Sequence, residues 1–209
     1  MNKDILNYFD ELFPNPRCEL NYQKDYELLI AVMLSAQTTD KRVNKVTAIL
    51  FSKYSSLEEI SMADIEDVED IIKEIGTYHR KSQYIIDIAK RLVSDGYDYV
   101  PNDRAYIESL PGVGHKSANV FLANIYDEAT MAVDTHVARV SKRLGLVDMA
   151  DDVLKIEKKL EKKISKDRWS RTHHQLVLFG RYYCKAISPL CNKCKIKEFC
   201  QYYKRKEQE

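Results

Sequence analysis

Apolar residues recur along this chain at helical spacing, and almost nowhere at the alternation that a half-buried strand requires. Ile5, Leu6, Phe9, Leu12 and Phe13 form one stripe, closed by Pro14 and Pro16. Tyr26, Leu29, Ile30 and Met33 form another. Thr39 or Asp40 can cap a third helix through Val43, Val46 and Leu50. Ile65, Val68, Ile71, Ile72 and Ile75 carry a helix that ends at Gly76. Tyr84, Ile85, Ile88, Ala89 and Leu92 carry the next, ending near Gly96. Pro101 opens a short helix, capped by Asn102 or Asp103 and running to Leu110. Ala118, Phe121, Leu122 and Ile125 then stand at i, i+3, i+4 and i+7. Asp134 precedes a helix with Val137, Val140, Ser141 and Leu144. A basic helix over 152–164 and an aromatic-rich one over 170–184 follow, and the tail QYYKRKEQE reads as frayed. The pattern predicts an all-α protein.

Composition narrows this to a globular protein of one or two small domains. The 209 residues are 44% hydrophobic and 31% charged. MNKDILNYFDELF has no apolar leader core, and no run has the length of a membrane span, so the expected compartment is the cytoplasm. The net charge is only +1. Its distribution is uneven. Residues 55–75 hold eight acids against Lys73, and residues 181–206 hold eight bases against Glu198. Such asymmetry fits one face for an anionic partner, and equally a pair of solvated helical faces.

Three segments carry candidate chemistry. The first is SLPGVGHKSANVFL, residues 109–122, a turn between two helices. Gly112 and Gly114 permit positive φ, and Pro111 removes a donor. The amides of Gly112, Val113, Gly114 and His115 are then expected to stay free at a helix N-terminus, where the dipole favours an anion such as DNA phosphate. A hairpin turn that needs glycine for geometry alone fits as well. Lys116 sits in the first helical turn, where a cation opposes the macrodipole at roughly 0.3–1 kcal/mol. The same field favours the neutral amine, a nucleophile able to form a Schiff base. A lysine that turns aside to a phosphate or carboxylate is the alternative.

The second segment is MAVDTHVARV, in which Asp134 is either a plain N-cap or a carboxylate that steadies positive charge and moves protons. The third is the set Cys184, Cys191, Cys194 and Cys200, spaced C-x6-C-x2-C-x5-C. With one C-x2-C pair it suits zinc less well than two pairs would, and zinc and an iron–sulfur cluster both remain open. Cys18 lies apart.

LPGVGHKSANV, VDTHVARV, the four-cysteine spacing and LSAQTTD at 34–40 together resemble the endonuclease III family of helix-hairpin-helix DNA glycosylases, in the family's order and over nearly the whole chain. The resemblance implies two helical domains with a DNA groove between them: residues 20–127, holding the hairpin at about 103–126, and a cluster domain of residues 1–19 and 128–209. It implies that Lys116 is the nucleophile, Asp134 its acidic partner, and the cysteines the ligands of a structural [4Fe–4S] cluster. It implies duplex DNA with oxidised pyrimidines or abasic sites as the partner, a monomer, no membrane, and a flipped base. Gln37 matches the residue that fills the flipped base's gap. Thr77, followed by Tyr78, stands where the family often carries a bulky apolar wedge. Pro111, Gly112, Val113, Gly114, His136 and Lys185 complete the implied DNA contacts. A non-catalytic DNA clamp and a zinc-stabilised interaction domain are the competing classes.

Overall fold

The structure, a computed structural model, describes residues 1–206. Among the described residues it is helical without strands. Its helices are α1 Lys3–Leu12, α2 Asp25–Leu34, α3 Asp40–Lys53, α4 Leu57–Ser61, α5 Ile65–Ile72, α6 Tyr78–Ser94, α7 Arg104–Ser109, α8 His115–Ile125, α9 Thr135–Leu144, α10 Val153–Lys163, α11 Trp169–Tyr182 and α12 Gln201–Lys206. No described helix is long and apolar enough to cross a membrane.

Short polar side chains start many of these helices by accepting an amide that the first turn leaves orphaned. Asn2, Ser56, Asp64, Asp103, Asp134 and Asp152 do so for α1, α4, α5, α7, α9 and α10. Of the two caps the sequence offers for the helix at 104, Asp103 is the one used, its side chain accepting from Tyr106 N–H. Helix α2 differs from its predicted single stripe, because every residue from Tyr26 to Leu34 is buried. A helix that is apolar all round belongs in the middle of a core. The C-terminal segment differs as well. Gln201–Lys206 is helical, with Tyr202 under the Arg143 guanidinium at 4.3 Å and Lys204 N–H bonded to Cys200 O at 3.1 Å. The rest of that tail, 207–209, lies outside the described residues.

The chain divides into two compact units, Glu19–Asp127 and the pair Met1–Cys18 with Glu128–Glu209. In the first, α2 packs on α3 and α8, and α6 packs on α4 and α5. In the second, α9 packs on α10, α11 and α12, and α1 lies on α11. There Phe9 meets Phe179 at 5.1 Å between ring centroids, and Phe179 stacks on Tyr183 at 5.7 Å.

Asp10 locks α1 to α11. Its Oδ1 accepts from Arg168 Nη2, Arg171 Nε and Gln175 Nε2, each at 2.9 Å. Burial alone would push this carboxyl up, but the bonds from Arg168, Gln175 and Arg171 outweigh it and hold the pKa at about 2, below its ordinary 3.8. A depressed carboxyl stabilises the fold fully above its unfolded pKa, and that contribution is lost as the pH falls through the folded value. Asp10→Asn is expected to cost on the order of 2 kcal/mol at pH 7. The deficit should shrink below about pH 4. Urea unfolding of both proteins between pH 7 and 3 checks this, and a pH-independent deficit would contradict it.

Candidate functional site

Within the unit 19–127 the candidate chemistry sits on the hairpin α7–turn–α8. Leu110 and Val113 are buried and anchor the turn from below, while Gly112, Gly114 and Lys116 are exposed and Pro111 is half-buried. Val113 N–H donates to Leu110 O at 3.1 Å, so this amide is spent inside the turn and is not offered outward as the sequence suggested. Its side chain is likewise core rather than surface. The amides of Gly112 and Gly114 meet no backbone acceptor among the described residues. Gly114 is the N-cap of α8 at φ −105, an ordinary extended value.

Gly112 is the turn residue that needs glycine. Its φ is +74, and an added Cβ would lie 2.5 Å from Tyr84 Cδ2 and 3.2 Å from Met33 Cγ. At Gly114 a Cβ meets nothing within 4 Å. Gly112→Ala is therefore expected to cost at least about 2 kcal/mol and to weaken DNA affinity, whereas Gly114→Ala costs about 1 or less. Denaturant unfolding beside a DNA titration checks the contrast, and equal effects would contradict it.

A polar brace across the hairpin escaped the sequence reading. Arg104 Nη1 donates to Asn119 Oδ1 at 2.8 Å and meets Glu108 Oε1 at 3.3 Å. His115 Nδ1 lies 3.2 Å from Glu108 Oε1, and its Nε2 lies 3.3 Å from Asn119 Nδ2. These contacts tie α7 to the first turns of α8. Lys116 follows His115 as the second residue of α8, exposed, and no carboxylate of its unit pairs with it. The helix start thus carries a cation that the surrounding unit does not neutralise.

Two other candidates in this unit share an unusual backbone. Gln37 has φ 59 and Thr77 has φ 57. A non-glycine residue in the left-handed region carries roughly 1 kcal/mol of strain, which persists only where neighbours hold it. Both side chains are exposed. Thr77 is the N-cap of α6, and Tyr78, next to it, is half-buried with its ring 4.0 Å from that of His79.

In the other unit Asp134 is a working N-cap, its Oδ1 accepting from Val137 N–H at 2.7 Å. Asp134 is half-buried, and the cap uses one carboxylate oxygen and leaves the second for other work. His136 is packed against α11, where a Cβ on Gly180 would lie 2.7 Å from His136 Cβ. Burial pushes the His136 pKa down; Asp134 opposes this, and Arg139 and Arg181 add to it. Arg139 and Arg143, which the sequence reading passed over, hold the chain around Cys184. Arg139 donates to Cys184 O at 3.1 Å and Gly180 O at 2.8 Å. Arg143 donates to Lys185 O at 2.6 Å, Ala186 O at 3.0 Å and, at 3.5 Å, Cys184 Sγ. Their spacing, i and i+4 on the polar side of α9, was the available signal. Lys185 itself is exposed.

Cys184, Cys191, Cys194 and Cys200 line one pocket and form no disulfide. Burial first, with the other three cysteines adding to it and the Ile196 backbone opposing, raises the Cys194 thiol to about 11. Cys200 is raised for the same reasons. Burial thus opposes ionisation of Cys194 and Cys200, and a positive group beside them would favour it. Among the described residues no three metal-binding side chains converge on the point a single ion would occupy.

Residues 30–166 match the HhH-GPD family, the HhH-GPD superfamily base excision DNA repair proteins. The chain belongs to this superfamily. It is a base-excision-repair enzyme, a DNA glycosylase. The matched span takes in Gln37, Thr77, the hairpin, Lys116, Asp134 and His136, and stops short of the cysteines. Longer similarities reach them. Endonuclease III of Bacillus subtilis (strain 168) is 44% identical over 196 residues, which is 94% of this chain and 90% of that one. A trapped endonuclease III–DNA covalent intermediate superposes with a TM-score of 0.92 at 43% identity, covering 99% of both chains. A non-covalent endonuclease III–DNA complex gives 0.93 at 42% identity over 100% of both.

Proposed function

We propose that this glycosylase excises oxidised pyrimidines from duplex DNA and cuts the strand 3′ to the resulting abasic site by β-elimination. The observation that carries this reading is Lys116, an exposed amine in the first turn of α8 that no carboxylate of its unit neutralises. The hairpin amides of Gly112 and Gly114 grip a phosphate beside the lesion, and Pro111 gives the turn its fixed shape. The lesion is flipped out of the stack, and Gln37 enters the gap while Thr77 or Tyr78 meets the opposite side. The Lys116 amine attacks C1′ of the sugar. The C1′–N bond breaks, the base leaves with a proton, and the opened sugar is held as an imine. Loss of a C2′ proton then expels the 3′ phosphate, and water hydrolyses the imine to free the Lys116 amine and leave an unsaturated aldehyde. Asp134 steadies positive charge on the sugar and carries protons through its oxygen that the cap leaves unused. His136 and Lys185 add contacts to the DNA. That a similar solved structure is a trapped covalent intermediate with DNA supports a covalent route here.

The four-cysteine spacing fits a [4Fe–4S] cluster, which Cys184, Cys191, Cys194 and Cys200 would hold as thiolates. Bound there, a cluster would cross-link the chain and supply positive charge for the thiolates, and base excision requires no redox step from it. Residues 184–206 then gain an order that their own short helices do not provide. The enzyme acts as a monomer, in the compartment that holds the chromosomal DNA.

A duplex with one oxidised pyrimidine tests the reaction. The expected products are the free base and a strand ending in an unsaturated aldehyde. Base release with an intact strand would remove the lyase half of the proposal.

A further inference from the structure

Lys81 is buried, 6% exposed, and its ammonium meets backbone carbonyls instead of a carboxylate. Nζ donates to Leu34 O at 3.0 Å and Ala36 O at 2.8 Å. These are carbonyls at and beyond the C-terminus of α2, where a helix leaves acceptors unpaired and the dipole favours a cation. The amide of Lys81 meanwhile donates to Thr77 O at 3.1 Å. One residue therefore joins the loop that carries Gln37 to the turn that carries Thr77. Those are the two strained residues of this unit that the repair reading places in the DNA stack. A buried cation is costly, and burial is what pushes the pKa of Lys81 down. An apolar side chain would fill the same space at less expense, but it would strand the carbonyls of Leu34 and Ala36.

We propose that Lys81 is a positioning residue of the repair reaction. Its ammonium fixes the Gln37 loop against the Thr77 turn, so that both reach duplex DNA as one preformed element. This rests on the reading of Gln37 as the side chain that fills the gap of the flipped base. Preorganisation of this kind lowers the cost of binding and leaves the chemistry at Lys116 unchanged. Its signature is a loss confined to duplex substrates.

The test compares Lys81→Met, Lys81→Arg, Gln37→Ala and the double variant Lys81→Met/Gln37→Ala. Each acts on an oxidised-pyrimidine duplex and on a single-stranded abasic oligonucleotide, which has no gap to fill. Lys81→Met is expected to raise the duplex KM about tenfold, to leave single-strand cleavage within about twofold of wild type, and to speed amide exchange at Gln37 and Thr38. Lys81→Arg should recover most of the loss. The double variant should be no worse than Gln37→Ala alone, because Lys81 acts through Gln37. Multiplying losses in the double variant would overturn the proposal. So would a normal duplex KM for Lys81→Met while Gln37→Ala is impaired. A fully active Gln37→Ala would instead remove the gap-filling reading, and the proposal with it. Should Lys81→Met not fold, Lys81→Gln keeps an N–H donor group without the charge and carries the same comparison.

Discussion

Lys116→Gln is expected to bind DNA as tightly as wild type and to lose strand cleavage. The loss should be at least about a thousandfold, the scale seen when a covalent nucleophile is removed. The fold gives no reason for collateral damage. Lys116 is exposed on the second position of α8 and holds no partner in its unit. The hairpin's grip on phosphate comes from Gly112 and Gly114 amides, which the substitution leaves in place. Glutamine also removes a cation from the positive end of a helix. The variant should therefore be more stable by roughly 0.3–1 kcal/mol. A gain in stability with a loss of activity is the pattern of a site kept for chemistry at the expense of local structure. Nicking assays beside denaturant unfolding read both effects. Full retained cleavage would remove Lys116 from the mechanism.

Cys194→Ser is expected to yield colourless, poorly soluble protein, beside a wild type expected to be brown with absorption in the visible blue. Cys194 lies in the middle of the segment whose local structure is weakest. Between Tyr182 and Gln201 the chain has only two short 3-10 turns, Cys191–Lys193 and Lys197–Phe199. Ile196 and Cys200 are its core contributions, and Arg143 ties its first residues to α9. That is little apolar surface for so many ordered residues, so binding of the proposed cluster would be coupled to the ordering of 184–206. Serine removes one thiolate and leaves three crowded thiols without compensation. The unit 19–127, with a separate core, should keep its helical signal. A soluble, coloured Cys194→Ser protein would show that this cysteine is not a ligand.

Much of this was legible along the chain because it is local. The period of Ala118, Phe121, Leu122 and Ile125 marked α8, and Asp134 followed by Val137 and Val140 marked a capped α9. The four cysteines fall within 17 residues, so their meeting on one cavity needed little folding to foresee. What escaped depends on contacts between distant residues. Nothing near Val113 says that its amide turns inward to Leu110 O. Nothing near Lys81 says that its ammonium reaches carbonyls 45 and 47 positions earlier. Helix α2 showed a stripe because only its polar ends break the apolar run, and its burial on every side comes from α3 and α8. The C-terminal helix read as a frayed tail because Arg143, far upstream, supplies the surface on which Tyr202 rests.

Borohydride trapping of the wild-type protein on a duplex with one abasic site tests the central claim most directly, followed by mass mapping of the attached peptide. A covalent protein–DNA band is expected, with its sugar remnant on Lys116. No band from folded protein that still binds the duplex, or a remnant on another lysine, would contradict it.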